Sequence, residues 1–408
     1  MPNARYIPRS LEPILRHAVR EFPAVVLTGP RQSGKTTLLK HLFGRSHTYV
    51  SLDPPDVRAA ALSDPRGFLD LYPAPVILDE VQHAPELLSF IKERIDERRH
   101  RRGAYVLTGS QNLLVAQHVA ESLAGRAGMF RLLPFSFREA SKRPGASPIW
   151  HARPRWTSRP SLHGQGLWQS FVRGFYPEVV VEAKRDAPRW LASYVQTYLE
   201  RDVRMLRQVG DLSLFQSFLR VLAARSGQLL NLADISRDLG VAVNTAKAWL
   251  SVLEAAYQVV VVRPYFANVG KRLVKTPKVY FTDTGVLCYL MSLGDAAHAA
   301  AGPMAGAIME TAVLGELVKD QLGQGLEARI HFWRTSTGSE VDFLVERGAT
   351  LVPIEVKASS TPRPAMAAGI HALRGDLGDR IGHGYVVHTG EGVLPLGDGV
   401  TAVPLGSI

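Results

Sequence analysis

Gly29 to Thr36 reads GPRQSGKT, the pattern G-x-x-x-x-G-K-T, and it constrains this chain more than any other stretch. A short apolar run precedes it at 24–28, and a helical pattern begins at Lys35. A strand, a glycine loop and a helix in that order make a cradle for phosphates. The glycines let backbone N–H groups turn inward, Lys35 reaches the β- and γ-phosphates, and the Thr36 hydroxyl ligates Mg²⁺. The helix start adds a favourable dipole. Residues Gly29, Pro30, Arg31, Gln32, Ser33, Gly34, Lys35, Thr36 and Thr37 are therefore expected to bind ATP with Mg²⁺.

A second apolar run, Val76 to Leu78, ends in Asp79-Glu80. An aspartate at a strand end beside the loop can hold Mg²⁺ through water, and a following glutamate can polarise the attacking water. Thr36 and Asp79 are the predicted metal residues, and Glu80 with Lys35 the predicted catalytic pair. A third strand, Tyr105 to Thr108, leads into Gly109-Ser110-Gln111. Where a strand is inserted between the two phosphate-site strands, a polar residue here senses the γ-phosphate. Ser110 and Gln111 are the candidates, with a plain turn as the alternative. Arg126, between Gly125 and Gly128, suits an arginine finger; a carboxylate-bound surface arginine is the competing reading.

The ordered set TGPRQSGKTTLL, VILDEVQ, LTGSQ, SLAGR, GFYPE, YLERDV and EVDFLVE…PIEVK resembles one family. These are prokaryotic AAA-type ATPases with a C-terminal DUF4143 domain. The resemblance spans nearly the whole chain. It implies ATP binding, and it implies that the helical middle is a lid on the nucleotide site, with ordinary helix-bundle packing as the alternative.

Between Ala140 and Tyr176 the chain has no acid. Lys142, Arg143, Arg153, Arg155 and Arg159 accompany Trp150 and Trp156 there. Such interleaving can grip a single strand, and a solvated insertion is the bland alternative. A helix follows on the apolar positions Trp190, Leu191, Tyr194, Val195, Tyr198 and Leu199, with Arg201 and Asp202 beside that stripe. Leu232, Ile235 and Leu239 then mark one helix, stopped by Gly240, and Val243, Ala246, Leu250 and Leu253 a second. The β-rich stretches YQVVVVRPY and LVKTPKVYFTD fit a following hairpin wing, which makes a winged-helix pattern. The second helix exposes Asn244, Thr245, Lys247 and Ser251. One cation is few for a DNA reader, so a structural or protein-contact role stays open.

In the tail, Asp342 lies in an alternating strand, a turn follows, and Glu355 and Lys357 sit two apart on the next strand and so share a face. The arrangement resembles nucleases of the PD-(D/E)xK type, whose carboxylates hold Mg²⁺ while the lysine orients the nucleophile. Glu310 is the candidate for an extra acid, and Glu316 the second choice. Glu340 and Glu346 read as solvated strand residues. An aspartate followed loosely by E-x-K arises by chance in about a third of chains this size, so hairpin context and resemblance carry the reading.

The expected fold is α/β: a P-loop NTPase domain at 1–140, a basic insertion or linker at 141–177, a helical lid and winged-helix-like region at 178–264, and a nuclease-like α/β domain at 265–408. One cysteine, Cys288, in 408 residues excludes an internal disulfide framework and fits a reducing cytoplasm. No segment approaches a membrane span or a signal peptide. The net charge of +11 favours DNA or RNA as a partner, although an arginine-rich proteome has the same effect. The expected function is Mg²⁺-ATP binding and hydrolysis, used as a switch or motor on nucleic acid. The competing readings are a nucleotide-gated protein-interaction module with a dead nuclease fold and an ATP-regulated nuclease. A protein partner and oligomerisation are both compatible with the sequence.

Overall fold

The computed structural model describes residues 6–110, 122–145, 162–199, 212–265 and 274–407. Gln111, the Trp150–Arg159 part of the basic insertion, Arg201 and Asp202 lie outside them.

The first sheet has five parallel strands: β1 (Ala24–Thr28), β2 (Thr48–Ser51), β3 (Val76–Asp79), β4 (Tyr105–Gly109) and β5 (Ala127–Arg131). Their order is β2-β3-β4-β1-β5, so β4 does lie between the two strands that lead into the phosphate-site motifs. β1, β3 and β4 are buried along their whole length. Helices cover both faces of such a sheet, which is why the sequence reads as continuous apolar runs rather than alternation. Val25 and Leu27 face a core that includes Leu15, Leu38 and Phe43, while Ala24 and Val26 face one that includes Leu87, Leu88 and Ile91.

The second sheet has eight strands, in the order β12-β13-β11-β10-β9-β8-β6-β7. β8 (Ile330–Arg334), β9 (Glu340–Arg347) and β10 (Thr350–Lys357) form an antiparallel meander. β11 (Gly384–His388) runs parallel to β10, with β13 (Val400–Pro404) and β12 (Leu394–Gly397) beyond it. Helix Ala305–Gly323 precedes the meander and helix Ala368–Leu377 follows it.

The middle region differs from expectation in two respects. Helices Leu232–Leu239 and Val243–Ala255 form as read, with Asn231 capping the first through the Ala233 and Asp234 amides. Val243, expected inside, is 47% exposed, and Trp249 fills the inner face instead. The hairpin β6 (Val259–Pro264) and β7 (Lys278–Phe281) is not a free wing. β6 pairs in parallel with β8, so the hairpin extends the C-terminal sheet across the boundary expected at 264/265. An isolated two-stranded hairpin is marginal in water, and joining a sheet satisfies its outer backbone groups. One hydrophobic core accordingly runs from Phe135 and Phe137 through the middle helices to Phe343, Val356 and Val403.

A buried polar bridge ties the ATPase part to that core. The short helix Phe137–Ala140 is closed by a Ser136–Glu139 capping box. The Phe137 N–H donates to Glu316 at 3.0 Å, and Arg138 pairs with Asp320 at 3.0 Å. Lys319 donates to the Phe135 carbonyl at 2.9 Å. Arg9 pairs with Glu139 at 3.2 Å and donates to the Ser33 carbonyl, inside the phosphate loop, at 3.0 Å.

Both partners of the Arg138–Asp320 pair are buried. Asp320→Ala should therefore destabilise the protein by about 3–5 kcal/mol, because it strands a buried guanidinium. Arg138→Met combined with Asp320→Leu should recover much of that loss. Urea unfolding of the three proteins checks this; equal losses in the single and double variants would place the cost elsewhere.

Candidate functional site

The phosphate loop leaves β1 through Gly29, at φ 152°, where a Cβ would stand 2.1 Å from the Leu132 carbonyl oxygen. Only glycine fits so close an approach. Gly34, at φ 92°, then turns the chain into helix Lys35–Phe43. That helix has no acid in its first turn, so its N-terminus offers an uncompensated positive dipole. The buried Lys35 ammonium donates to the Gly29 and Pro30 carbonyls at 3.0 and 2.9 Å.

Asp79, at the end of β3, is buried. Its carboxylate accepts from Thr36 at 2.9 Å, from Tyr49 at 2.6 Å and from Thr108. Thr36 and Asp79 thus meet directly, two hard oxygen donors of the kind Mg²⁺ takes. Glu80 occupies the left-handed region at φ 60°, which is strained for a side chain of its size. Its amide donates to Thr108 at 3.1 Å. Its carboxylate accepts from Gln82, from the Ser110 amide at 3.2 Å and from the Ser110 hydroxyl at 2.9 Å. Burial alone would raise the Glu80 carboxyl. The Lys35 charge, then the Gln82 and Ser110 hydrogen bonds and the Arg31 charge, outweigh it and hold the group below its ordinary value.

A cavity of about 410 Å³ opens beside the loop, lined by Lys35, Thr36 and Glu80 on one side and by Tyr6, Ile7 and Val181 on another. A wider cleft of about 1170 Å³, bounded by Trp190 and Arg189, shares Gln32, Glu178 and Glu182 with it. The smaller cavity is the one that meets the phosphate-binding groups, and helix Pro177–Val181 contributes to its wall.

Arg126 is not brought there. It precedes β5, whose start lies on the sheet edge opposite the loop, and it forms a bidentate pair with Asp96 at 2.8 and 2.9 Å. Of the two readings of Arg126, this geometry is the carboxylate-bound one, and no cis role follows. Arg9, Tyr49 and Thr108 escaped the sequence reading. The signal for Tyr49 and Thr108 was their place on strands flanking β3; nothing local marks Arg9.

The tail brings Glu310, Asp342, Glu355 and Lys357 together. Asp342 accepts from the Val356 amide at 2.8 Å, and Lys357 donates to Glu355 at 2.6 Å. The other Glu355 oxygen is buried without a hydrogen-bond partner. Lys278 of β7, 4% exposed, stands among the acids: 2.5 Å from Glu340, 3.8 Å from Glu310 and 4.0 Å from Asp342. Glu340 also pairs with Arg334 at 3.2 Å, so it is not the solvated strand residue expected. Among the described residues no three His, Cys, Asp or Glu side chains are arranged to hold a metal. Here these residues form an ion-pair cluster around the Lys278 and Lys357 ammonium groups. A lysine alone in the buried run PKVYF was the signal missed. Glu316, the second-choice acid, bonds Phe137 in the interdomain bridge instead.

Burial works against the Lys278 charge, and Glu310, Asp342 and Glu340 outweigh it, holding the ammonium above its ordinary range. Burial and then the Asp342 charge push Glu310 up to about 7 and Glu355 up to about 8. These folded carboxyls keep protons that the unfolded chain releases above its ordinary 4.5. The folded state therefore binds more protons between roughly pH 4.5 and 8, and stability falls as pH rises through that window. Glu355→Gln should flatten the fall. Urea midpoints across this range for both proteins check it; identical slopes would remove Glu355 from the account.

Three protein families match the chain in order: the AAA domain family over residues 21–141, the domain of unknown function DUF8612 over 164–297 and the domain of unknown function DUF4143 over 305–408. The uncharacterized protein Rv2008c of Mycobacterium tuberculosis is 31% identical over 396 residues, covering 97% of this chain and 82% of that protein. The uncharacterized protein Mb2031c of Mycobacterium bovis matches to the same extent. Among solved structures, the Walker-type ATPase PABY2304 of Pyrococcus abyssi aligns with a TM-score of 0.46 at 16% identity, over 71% of this chain and 98% of that one. The Holliday junction branch migration motor RuvB of Thermotoga maritima aligns with a TM-score of 0.27 at 17% identity, over 62% of this chain and 85% of that one. Among the described residues no helix is long and apolar enough to cross a membrane. With its AAA domain, its C-terminal DUF4143 domain and its 31% identity to the mycobacterial proteins over 97% of its length, the chain belongs to their family of AAA-type P-loop ATPases.

Proposed function

We propose that the protein is an ATP-driven switch in which hydrolysis at the phosphate loop governs how the C-terminal domain holds nucleic acid. The bridge from the phosphate loop to helix Ala305–Gly323 carries this reading. Arg9 touches the Ser33 carbonyl and Glu139 together, and the segment it clamps is bonded to Glu316 and Asp320. Glu310, on the same helix, reaches the carboxylate cluster through Lys278 and Tyr280. A change at the loop thus has a packed, polar route to the second sheet.

In the ATPase step, Lys35 would meet the β- and γ-phosphates and the loop amides would cradle them. Thr36 and Asp79 would hold Mg²⁺, which when bound neutralises phosphate charge. Glu80, kept ionised, would take the proton of the attacking water, and Ser110 would position the Glu80 carboxylate.

The C-terminal domain is read as nuclease-like. In its favour are the helix, three-stranded meander, helix and parallel strand, with the acid on β9 and E-x-K on β10. It would bind rather than cut, because the Lys278 ammonium beside Glu310 and Asp342 would compete with a metal for their charge. A second reading, a module that contacts protein through this inactive fold, draws on the same lysine.

Lys35→Ala should abolish tight ATP binding, and unchanged affinity in titration calorimetry would refute the loop assignment. Glu80→Gln should bind ATP and turn it over about a hundredfold more slowly or worse; wild-type turnover would move the base elsewhere. The intact protein should leave plasmid uncut in Mg²⁺ or Mn²⁺, while its DNA or RNA affinity differs between ATP and ADP. Nicking that Asp342→Asn abolishes would instead make the tail an active nuclease.

A further inference from the structure

The first sheet has a second edge, and its chemistry is unlike that of the phosphate loop. All five strands run parallel, so their amino ends lie together, opposite the loop. A five-residue strand separates the two edges by about 16 Å. The amino-end edge is lined with arginine. Arg45 sits just before β2, Arg98 and Arg102 before β4, and Arg20 before β1. All four are exposed, and none meets an acid among the described residues.

The local crowding is only partly used within the fold: Arg101 donates to the Ala74 carbonyl and Arg99 pairs with Asp96, while Arg98 and Arg102 meet no acid among the described residues. Arg98, Arg99, Arg101 and Arg102 fall within five consecutive positions. They are held close by backbone bonds from Arg98 to Ile95 and from Arg101 to Arg98, at 3.1 and 2.9 Å. The turn is pinned to the strand beside it by the Gly103 amide on the Phe22 carbonyl at 2.8 Å. Asp96 is shared by Arg99 and Arg126, at 3.3 and 2.8 Å. Like charges so placed repel one another, and a polyanion would relieve that.

Spacing identifies the polyanion. In the order β2-β3-β4-β1-β5, the four cations spread from β2 to β1, three strand intervals, about 14 Å at ~4.8 Å each. One strand of a duplex presents a charge every ~3.4 Å of axis, so the row spans about four phosphates. The guanidinium is the group that bonds phosphate oxygens in pairs. A membrane-surface site sets apolar side chains among its cations, and the turn has none. We infer that this arginine-lined edge is a docking surface for a nucleic-acid backbone. The inference rests on the nucleic-acid reading above and adds a second contact for that partner, on the ATPase domain.

The test replaces Arg20, Arg45, Arg98 and Arg102 together with glutamine in the full chain. Fluorescence anisotropy then follows a short mixed-sequence duplex and a single strand across a salt series, with anionic phosphatidylserine vesicles as a third probe. Basal ATPase and thermal unfolding should match wild type, since all four side chains are exposed and far from the loop. Expected is an affinity loss of at least about tenfold at low salt. The slope of log affinity against log salt should fall by about 3–4 for duplex or about 2–3 for single strand, the counterions of four phosphate contacts. Wild-type binding with unchanged affinity and slope in the variant overturns this edge and leaves the nucleic-acid reading standing. No binding of either oligonucleotide by wild type overturns both. Binding to the vesicles alone assigns the edge to a membrane surface and likewise overturns the inference.

Discussion

The guanidinium of Arg9 is buried among the Ser33 carbonyl, the Leu133 carbonyl, the Glu139 carboxylate and the Phe135 ring. A charge in such a place persists only while every partner stays in position, because an unpaired buried charge costs several kcal/mol. Ser33 belongs to the phosphate loop, and Glu139 to the short helix that docks on Ala305–Gly323 through Glu316 and Asp320. The loop cannot shift without loading this network. That constraint makes the ATPase and the C-terminal sheet parts of one mechanical unit rather than two beads on a linker. Tyr257 adds a second contact, its hydroxyl 2.6 Å from that of Thr28 at the end of β1.

The carboxylate cluster obeys the same rule with the signs reversed. Glu310, Glu340, Asp342 and Glu355 come from one helix and two strands, and burying them together without a cation would be prohibitive. Lys278 and Lys357 supply the compensation. Because Lys278 comes from the hairpin β6–β7, neutralising the cluster also fastens that hairpin to the C-terminal sheet. The geometry that resembles a nuclease centre is thus at the same time a structural clasp.

The two edges of the first sheet differ in chemistry. At the carboxyl edge, loop amides, a helix start and Lys35 are compact and point inward, as a small, highly charged ligand requires. Glu80 is held there in a strained backbone conformation by Thr108 and Ser110, the sort of strain that persists when surrounding contacts over-determine it. At the amino edge the cations are spread out and exposed, which suits a long ligand whose affinity is a sum of weak, salt-sensitive contacts.

The phosphate loop, Asp79, Glu80 and the strands that carry them were legible because their chemistry is contiguous. Spacing within eight residues dictates where amides and hydroxyls point, and continuous apolar runs announce a sheet covered on both faces. The meander around Asp342 and Glu355 was legible for the same reason, as alternation broken by one turn. What the sequence could not disclose were pairings across long chain separations. Arg138 meets Asp320 across 182 positions, and Arg9 meets Leu133 across 124. Lys278 among the acids, the hairpin in the second sheet and Arg126 on Asp96 are of this kind. Each depends on which buried charge finds which partner, and burial is a property of the assembled core. The sequence by itself therefore determined an AAA-type ATPase and the residue types of a C-terminal acidic cluster; the tertiary structure decided that Lys278 stands among those acids and that helix Ala305–Gly323 is bonded to the ATPase part.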